Sequence, residues 1–499
     1  MKKDTFFRDS FILTLSNLTT GILGFTFSII LSHKLGAEGM GLYGLIMPIY
    51  NLFICLISGG MIAAISKVSA EFINKKDYRN LNKTIDTSIV FDIVWSLIVV
   101  FFVFINSDSI SKYIIKDIRS ANALKIICPA MVFIAISSIL KGYFYGISKI
   151  KIPAFIDISE KALRIVFIVV ITTILSLNEI KDTVTFAYIA LLLGEFTSTF
   201  FLYLFYKINS NKNPYSPYSQ EGRAQLLFNV LSISFPLCLN GFLSTGLSTV
   251  STLLVPRRLI HAGFDYSSAL STIGKFTGMS LVIVFFPMLV VNSMSTILIP
   301  DISQSVSNKD YWGTEDRIKT VFKISFLLGL STMLLCTTIP DSLGMLFFKR
   351  DDLGKYILFS SLAAPFLYPS ATTFGILNGL GKQGKLLRNS LIVSIEEIVL
   401  LFILVGIPTI NIYGYALTIT ITSLTTIFLN IYEIRKTYFI DINGSEILII
   451  LLTSLLMFFV LNILKNVLPN SLYVFKYIVM IITSFSLIFI ANIMIKESK

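Results

Sequence analysis

Side chains able to do chemistry are sparse in this 499-residue sequence, and most of them lie inside apolar stretches. The two histidines, His33 and His261, stand too far apart to suggest a zinc site. The four cysteines, Cys55, Cys128, Cys238 and Cys336, all fall in apolar segments without CxxC spacing. They read as small core residues, and neither a disulfide framework nor a metal is expected. The densest ionisable group is Asp157, Glu160, Lys161 and Arg164. Asp157–Lys161 and Glu160–Arg164 are both i,i+4 pairs, which places all four on one helix face where opposite charges can neutralise each other. Two readings of that face stand: a structural ion-pair strip with Lys161 and Arg164 snorkelling, or the polar wall of a water-filled cavity. Asp92 and Glu195 sit deeper in apolar runs with no local partner, and Glu396 and Glu397 are adjacent, so their side chains point about 100° apart on a helix. Such carboxylates are candidates for a proton or monovalent-cation site on an aqueous path, the alternative being carboxyls that are simply protonated. Arg257, Arg258 and Lys275 form a second basic group. Lys275 either faces an anionic substrate or snorkels to the interface.

Nothing in the chain reads as a catalytic apparatus. Gly379-Leu-Gly-Lys-Gln-Gly384 matches the dinucleotide pattern GxGxxG, but it lies between two apolar helices with no strand or βαβ unit around it. No GxxxxGK[ST] loop occurs, so no ATP engine is expected. Asp351 and Asp352 make a lone acidic pair in a short loop, where a solvated loop face explains them as well as a site does. Every loop is too short to carry the acceptor site of a membrane glycosyltransferase. Neither enzyme activity nor a cofactor is expected.

The elements that must position these residues are membrane helices. Hydrophobic residues make up 54% of the chain and charged ones 14%, and the mean hydropathy is +0.79. A soluble protein of this length needs far more polar surface. The apolar runs are continuous rather than alternating, which excludes an outer-membrane barrel. About six spans precede a polar interval, at roughly 11–31, 43–66, 84–106, 122–145, 156–177 and 184–206. About eight follow it, at roughly 226–255, 276–300, 319–341, 354–378, 389–408, 411–433, 445–464 and 473–495. That interval, Lys207 to Gln225, is rich in Ser and Asn with two prolines and reads as a solvated linker. The expected architecture is an all-α polytopic membrane protein of about 14 transmembrane helices. Residues 1–206 would form a six-helix lobe, 207–225 a cytoplasmic linker, 226–433 a second six-helix lobe and 434–499 an additional two-helix segment.

Charge distribution sets the expected orientation. The net charge is +12, but the basic residues sit mainly in short loops, so topology accounts for them and a nucleic-acid partner is not expected. The basic start Met1–Ser10 leads into an apolar run too long for a signal peptide, which reads as a retained first helix. With the N-terminus cytoplasmic, the loops 67–83, 146–155, 207–225, 301–318, 379–388 and 434–444 face the same side. They and their flanks hold roughly 25 of the Lys and Arg residues against about 14 opposite, so both termini are placed in the cytoplasm. An internal repeat supports two lobes. Gly142, Gly146 and Lys149 end the fourth span, and Gly375, Gly379 and Lys382 end the tenth at identical spacing. Six spans per block gives both blocks one orientation, related by a pseudo-two-fold axis along the membrane normal. The other reading of GxxxG with a basic flank is ordinary helix packing.

At His33-Lys-Leu-Gly-Ala-Glu-Gly-Met-Gly-Leu-Tyr-Gly-Leu-Ile-Met-Pro48 the sequence resembles the KLGxEGxGLY-type signature of polysaccharide-export flippases. Ser58-Gly-Gly-Met-Ile-Ala-Ala-Ile-Ser-Lys-Val-Ser-Ala-Glu71 resembles the stage V sporulation protein B branch of that family, as do Gly274-Lys-Phe-Thr-Gly-Met-Ser-Leu281 and Phe286-Pro287 through Ser295-Thr-Ile-Leu-Ile-Pro300. The resemblance spans the whole chain. It implies the MOP exporter superfamily, with two six-helix lobes and alternating access, and the two further C-terminal helices of MurJ-like lipid II flippases. It also implies a lipid-linked oligosaccharide substrate, such as a peptidoglycan precursor for spore cortex, moved across the bacterial cytoplasmic membrane. Membrane lipids, a monovalent cation or proton, and cortex-synthesis enzymes are the other implied partners. By the same resemblance the isoprenoid tail would lie in a groove beside the last two helices, and Lys275 matches a cavity arginine that would meet the pyrophosphate. With Lys275, the substrate-facing candidates are Arg164, Lys161, Arg257 and Arg258, and the ion-coupling or cavity-lining candidates are Asp92, Glu195, Glu160, Asp157 and Glu396. The chain departs from the family where first-span arginines are replaced by Gly21 and Phe27, an aspartate by Ser28, and a second-span arginine by the apolar Phe53 or Ile54. Much of the cationic cluster is therefore missing, and a drug or cation antiporter or a non-transporting sporulation scaffold stand as the alternatives.

Overall fold

A computed structural model describes residues 3–174, 180–210, 221–438, 444–469 and 473–497. Every regular element among the described residues is helical, in two compact units, Met1–Leu253 and Leu254–Lys499. The first unit contains α1 (Lys3–Ser58), α2 (Met61–Asn74), α3 (Tyr78–Ile105), α4 (Ser120–Gly146), α5 (Lys151–Ile174) and α6 (Ile180–Ser210), and most of α7 (Arg223–His261). The second contains α8 (Tyr266–Phe285), α9 (Met288–Ser307), α10 (Tyr311–Thr338), α11 (Pro340–Phe348), α12 (Gly354–Ser361) and α13 (Ala364–Gly379). It closes with α14 (Gln383–Leu404), α15 (Tyr413–Arg435), α16 (Gly444–Val467) and α17 (Tyr473–Glu497). Residues 211–220, the middle of the expected linker, lie outside the described residues, and its flanks are the last turn of α6 and the first turn of α7.

Nine of the described helices are long and apolar enough to cross a membrane. Fewer qualify than the hydropathy pattern suggests, for local reasons. The stretch Ile12–Asn74 is counted once, although Gly36 (φ 66, ψ −172) breaks the helix direction inside it. The second expected span is interrupted again at Gly59-Gly60, where Gly60 takes φ 74 ahead of α2. α13 is only 16 residues long, and α5 carries four ionisable side chains in its first half. These helices are apolar outside and polar inside. On α3, Ser88, Asp92 and Ser96 are buried, whereas Val94, Leu97, Ile98 and Phe101 are exposed. That inverts the soluble pattern and is what a hydrocarbon solvent demands.

The repeat is present in backbone detail, at a constant offset of 233 residues (375 − 142). A Cβ on Gly142 would lie 2.8 Å from the Ile62 carbonyl oxygen, and one on Gly146 would lie 2.6 Å from Ser69 Cβ, so α4 packs backbone to backbone on α2. At the same offset, Gly375 and Gly379 meet Ser295 and Ile302 of α9, each at 3.0 Å. Small residues let helices approach this closely where no hydrophobic effect pulls them together. The helix ends match too. The Lys149 N–H donates to Phe144 O and the Lys382 N–H to Leu377 O, both at 2.9 Å, with left-handed Ser148 (φ 58) and Gly381 (φ 70) before them. These are six-to-one closures of a helix C-terminus. Asp77 and Asp310 cap α3 and α10 after left-handed Lys76 (φ 58) and Lys309 (φ 59).

Each unit has its own core. In the first, Ile65, Tyr143, Phe144 and Tyr206 pack with Leu226 and Val230 of α7. In the second, Val284, Leu327 and Tyr368 pack with partly buried Ile449 and Phe485 of the last two helices. Those two helices are also tied to α10 by polar bonds. Lys323 Nζ meets Glu446 Oε1 at 2.5 Å, Lys465 Nζ donates to Thr338 O at 2.8 Å, and Ser484 Oγ donates to Ser331 O at 3.3 Å.

The glycine joints predict matched sensitivities. Gly146→Val and Gly379→Val should each lower the melting temperature of the purified protein, by about 1–3 kcal/mol of overpacking. Gly44→Ala, whose Cβ would meet nothing within 4 Å, should leave it unchanged or raised.

Candidate functional site

Polar side chains that could serve a site gather at three places considered in turn, one in the first unit and two in the second. In the first unit, α5 and α6 bring Glu160, Arg164 and Glu195 together. Arg164 Nη2 donates to Glu160 Oε1 at 2.5 Å and to Glu195 Oε1 at 3.0 Å, and Lys161 Nζ meets Glu160 Oε2 at 2.9 Å. Gly194 makes the crossing possible, since a Cβ there would stand 2.9 Å from Glu160 Oε1. Beside the cluster the Tyr43 and Tyr188 rings stack at 4.9 Å, and the buried Tyr50 hydroxyl and Arg164 Nε have no hydrogen-bond partner among the described residues. Of the two i,i+4 pairs expected on α5, only Glu160–Arg164 forms. Asp157 turns instead to Lys141 of α4 at 2.7 Å, which frees Lys161 for Glu160. Glu195, expected to lack a partner, has Arg164. The carboxylates and cations balance, so this cluster reads as a structural ion-pair centre more than as a basic anion trap.

In the second unit Lys275 is engaged. Its Nζ meets Asp352 Oδ2 at 2.8 Å, and Arg350 Nη2 meets the same oxygen at 2.6 Å. The hydrogen bond from Arg350, joined by that from Lys275, holds the Asp352 carboxyl well below the usual carboxylate range. Lys275 also lies on a π-helical turn, Gly274–Ser280, a distortion found often at functional positions. The first unit carries the same joint with the charges reversed. Arg119 meets Asp117 and Glu38, each at 2.8 Å, and Arg119 and Asp352 are separated by the repeat offset, as are Asp117 and Arg350. Left-handed Lys116 (φ 65) and Lys349 (φ 53) precede both. The hydrogen bonds of Asp117 raise the Arg119 guanidinium further above its ordinary value. Arg258 stacks 4.1 Å over the Phe402 ring and packs against Gly406, while Arg257 beside it is exposed.

The third place is a pair of neighbouring clefts in the second unit. One, of about 310 Å³, is lined by Glu397, Tyr415, Ser370, Thr422, Ser423 and Thr426 among apolar residues of α8. The other, of about 490 Å³, shares Ser370 and Thr426 and adds Asn292, Ser295 and Thr296. Apolar side chains such as Phe285, Leu367, Met288 and Phe374 make up most of both walls, with hydroxyls, an amide and one carboxylate set among them and no lysine or arginine in either lining. Ser370 and Thr426 donate their hydroxyl protons to Leu367 O and Thr422 O of their own helices, so towards the clefts these hydroxyls offer acceptor lone pairs to a ligand's hydroxyls. Sequence reasoning named Glu396, but Glu396 accepts from Thr425 Oγ1 at 2.9 Å and its neighbour Glu397 lines the cleft. The repeat offset pairs Glu397 with Arg164. The hydroxyl residues were missed. The i,i+4 pair Thr422–Thr426, facing Ser370, was the available signal.

Comparison with known proteins gives the fold a context. The MatE family matches residues 13–170. Stage V sporulation protein B of Bacillus subtilis (strain 168) is 26% identical over 451 residues, covering 89% of this chain and 86% of that protein. Lipid II flippase MurJ of the same organism is 22% identical over 399 residues, covering 75% and 73%. Among solved structures, the lipid II flippase MurJ in an inward closed conformation superposes with TM-score 0.72 at 17% identity, covering 98% of this chain and 99% of that one. An inward-facing multidrug resistance MATE family transporter of the MOP superfamily superposes with TM-score 0.63 at 14% identity, covering 86% and 98%. The resemblance carried by the sequence motifs therefore stands. This multi-pass membrane protein is similar to stage V sporulation protein B and has the MurJ/MATE fold.

Two outcomes follow from the ion pairs. Arg164→Met should destabilise the first unit by on the order of 3–5 kcal/mol, because it strands the buried Glu195 carboxylate and leaves Glu160 to Lys161 alone, and Glu195→Gln should cost less. Thermal unfolding in detergent measures both. Asp352 stabilises the fold when ionised, so its contribution is present above the ordinary carboxylate range and fades as the pH falls below about 4. Because the joint is half-exposed, Asp352→Asn should cost less than about 1 kcal/mol at neutral pH, and the difference from the parent should vanish in acid.

Proposed function

We propose that this protein is a flippase that carries a lipid-linked glycan, a peptidoglycan precursor of the lipid II type, across the bacterial cytoplasmic membrane. The single observation that carries this reading is the pair of clefts in the second unit, whose mostly apolar walls carry hydroxyls, an amide and the Glu397 carboxylate. A glycan headgroup cannot cross hydrocarbon unaided, because each hydroxyl stripped of water without a new partner costs several kcal/mol on the order expected for apolar transfer. Polar clefts would replace those partners while the isoprenoid tail stays in lipid. The likeness to stage V sporulation protein B and to MurJ supports a cortex precursor as the cargo. About 14 spans in two six-helix lobes plus two helices, with alternating access and both termini cytoplasmic, complete the proposal.

The cationic side of the site is thin. Lys275 is held by Asp352, and Arg164 is shared by two glutamates. Recognition is accordingly assigned to the sugars and peptide of the headgroup, with Lys275, Arg257 and Arg258 left as the candidates for its pyrophosphate. A cation-coupled antiporter of the same superfamily is the second reading, favoured by the MATE transporter neighbours and by the unpaired carboxylate Asp92.

Reconstitution in vesicles tests the assignment. A fluorescent lipid II placed in the inner leaflet should become accessible to an external quencher when the parent protein is present. Glu397→Gln and Ser370→Leu should slow that exposure roughly tenfold or more, the scale of one or two lost hydrogen bonds to a polar headgroup. Exposure at the rate of protein-free vesicles by the parent protein would refute the flippase reading.

A further inference from the structure

The α5–α6 pair carries a hollow on an exposed face that none of the polar clusters uses. It has a volume of about 660 Å³ and is lined by Phe155, Ser159 and Ala162 of α5 and by Phe201, Leu204 and Ile208 of α6. On each helix these residues recur three or four apart, so they form one stripe. The hollow exists because Ser159 and Ala162 are small and stand between the larger Phe155 and Leu163. Ser159 directs its hydroxyl to its own helix, donating to Phe155 O at 2.9 Å, so the walls present carbon almost alone.

One end of this hollow is basic. Lys151 precedes Phe155 by one turn on the same stripe, and Lys207 follows Leu204 by three residues. Both are exposed, and neither makes an ion pair among the described residues. Lys149, in the turn before α5, hydrogen-bonds to Asn209 Oδ1 near the end of α6, and Asn209 Nδ2 donates to the Tyr143 hydroxyl of α4 at 2.7 Å. Those two bonds tie the rims of the opening together. The carboxylates around it are engaged: Asp157 with Lys141 at 2.7 Å, Glu160 with Lys161 and Arg164, and Asp86 with the Tyr206 hydroxyl at 3.2 Å. The second unit does not repeat the arrangement. At the same offset (392 − 159) Ser159 and Ala162 are replaced by the bulkier Ile392 and Ile395, and Phe155 by Arg388, which bonds Asn389 and Glu433, each at 2.9 Å. The hollow and its free lysines are therefore a property of the first unit, not of the shared framework.

We infer that this hollow is a binding site for one anionic phospholipid, with an acyl chain between α5 and α6 and the headgroup phosphate between Lys151 and Lys207. Basic side chains at the membrane surface attract anionic headgroups, and basic pockets between membrane helices hold them. A zwitterionic lipid offers the same chain, but its ammonium group is repelled by two unpaired lysines. The bound lipid braces the α5–α6 pair, which also carries the Glu160–Arg164–Glu195 cluster, so occupancy stabilises the first unit by mass action. The site takes part in no transport step and stands independently of the flippase reading.

Native mass spectrometry of the full-length protein in detergent provides the test, with phosphatidylglycerol and phosphatidylcholine of identical acyl chains as probes. Phosphatidylglycerol should form a saturable one-lipid adduct at roughly tenfold lower concentration than phosphatidylcholine, the scale of two lysines beside an anionic headgroup. It should also raise the melting temperature. The Lys151→Gln/Lys207→Gln double variant should lose that preference, whereas Lys385→Gln in the second unit should keep it. Ala162→Phe should block the adduct of both lipids. If that variant fails to fold, the two lysines, both exposed, still decide the question. Three results would each overturn the inference: equal adducts with both lipids, a preference that survives the double lysine substitution, or displacement of phosphatidylglycerol by an equimolar isoprenyl diphosphate. No glycan is present in any arm, so failure here is distinguishable from failure of the flippase reading.

Discussion

In hydrocarbon no solvent satisfies a polar group, so each buried donor, acceptor and charge must be matched by another part of the chain. That constraint organises this protein more than any single contact. It turns α3 inside out, placing Ser88, Asp92 and Ser96 inward and Phe101 outward. It makes Arg164 bridge two glutamates from different helices, and it pairs Lys323 with Glu446 so that the last two helices are fixed to α10 by charge as well as by packing. Among the described residues the rule is left unmet at a few buried atoms, the Asp92 carboxylate, the Tyr50 hydroxyl and Arg164 Nε among them.

Backbone joints and side-chain charges have parted company between the two units. The glycine contacts, the left-handed turns at Lys116 and Lys349 and the aspartate caps recur at one offset. The ion joints at those turns recur with opposite sign, Asp117-Arg119 in one and Arg350-Asp352 in the other. Likewise the basic Arg164 occupies the position of the acidic Glu397. Close helix packing tolerates few residue types, whereas a charge on a cavity wall is free to change with the cargo. The two units therefore share one framework and differ in their polar linings.

Helical membrane architecture and the repeat were legible in the sequence because both rest on local signals, namely apolar runs and the Gly-x-x-x-Gly-x-x-Lys spacing. The Glu160–Arg164 pair was legible for the same reason. What could not be read was which distant helix competes for a charge. Lys141 takes Asp157 from Lys161, and Asp352 takes Lys275, because helices far apart in sequence are brought side by side. The break at Gly36 falls in the expected loop between the first two spans, whereas the one at Gly59-Gly60 was hidden inside an apolar stretch, where hydropathy is blind to a glycine with positive φ. The hydroxyl clefts were missed because serine and threonine in a membrane helix usually bond their own backbone, and only tertiary packing shows which of them share an opening.

Recognition of the glycan is the central claim, and binding tests it most directly. Native mass spectrometry of the purified protein would compare lipid II with an isoprenyl diphosphate that lacks sugar and peptide. Saturable binding of lipid II, weakened markedly when the sugars are absent, is the predicted result. Equal binding of both lipids, or none of either, would contradict a site built to hold a glycan headgroup.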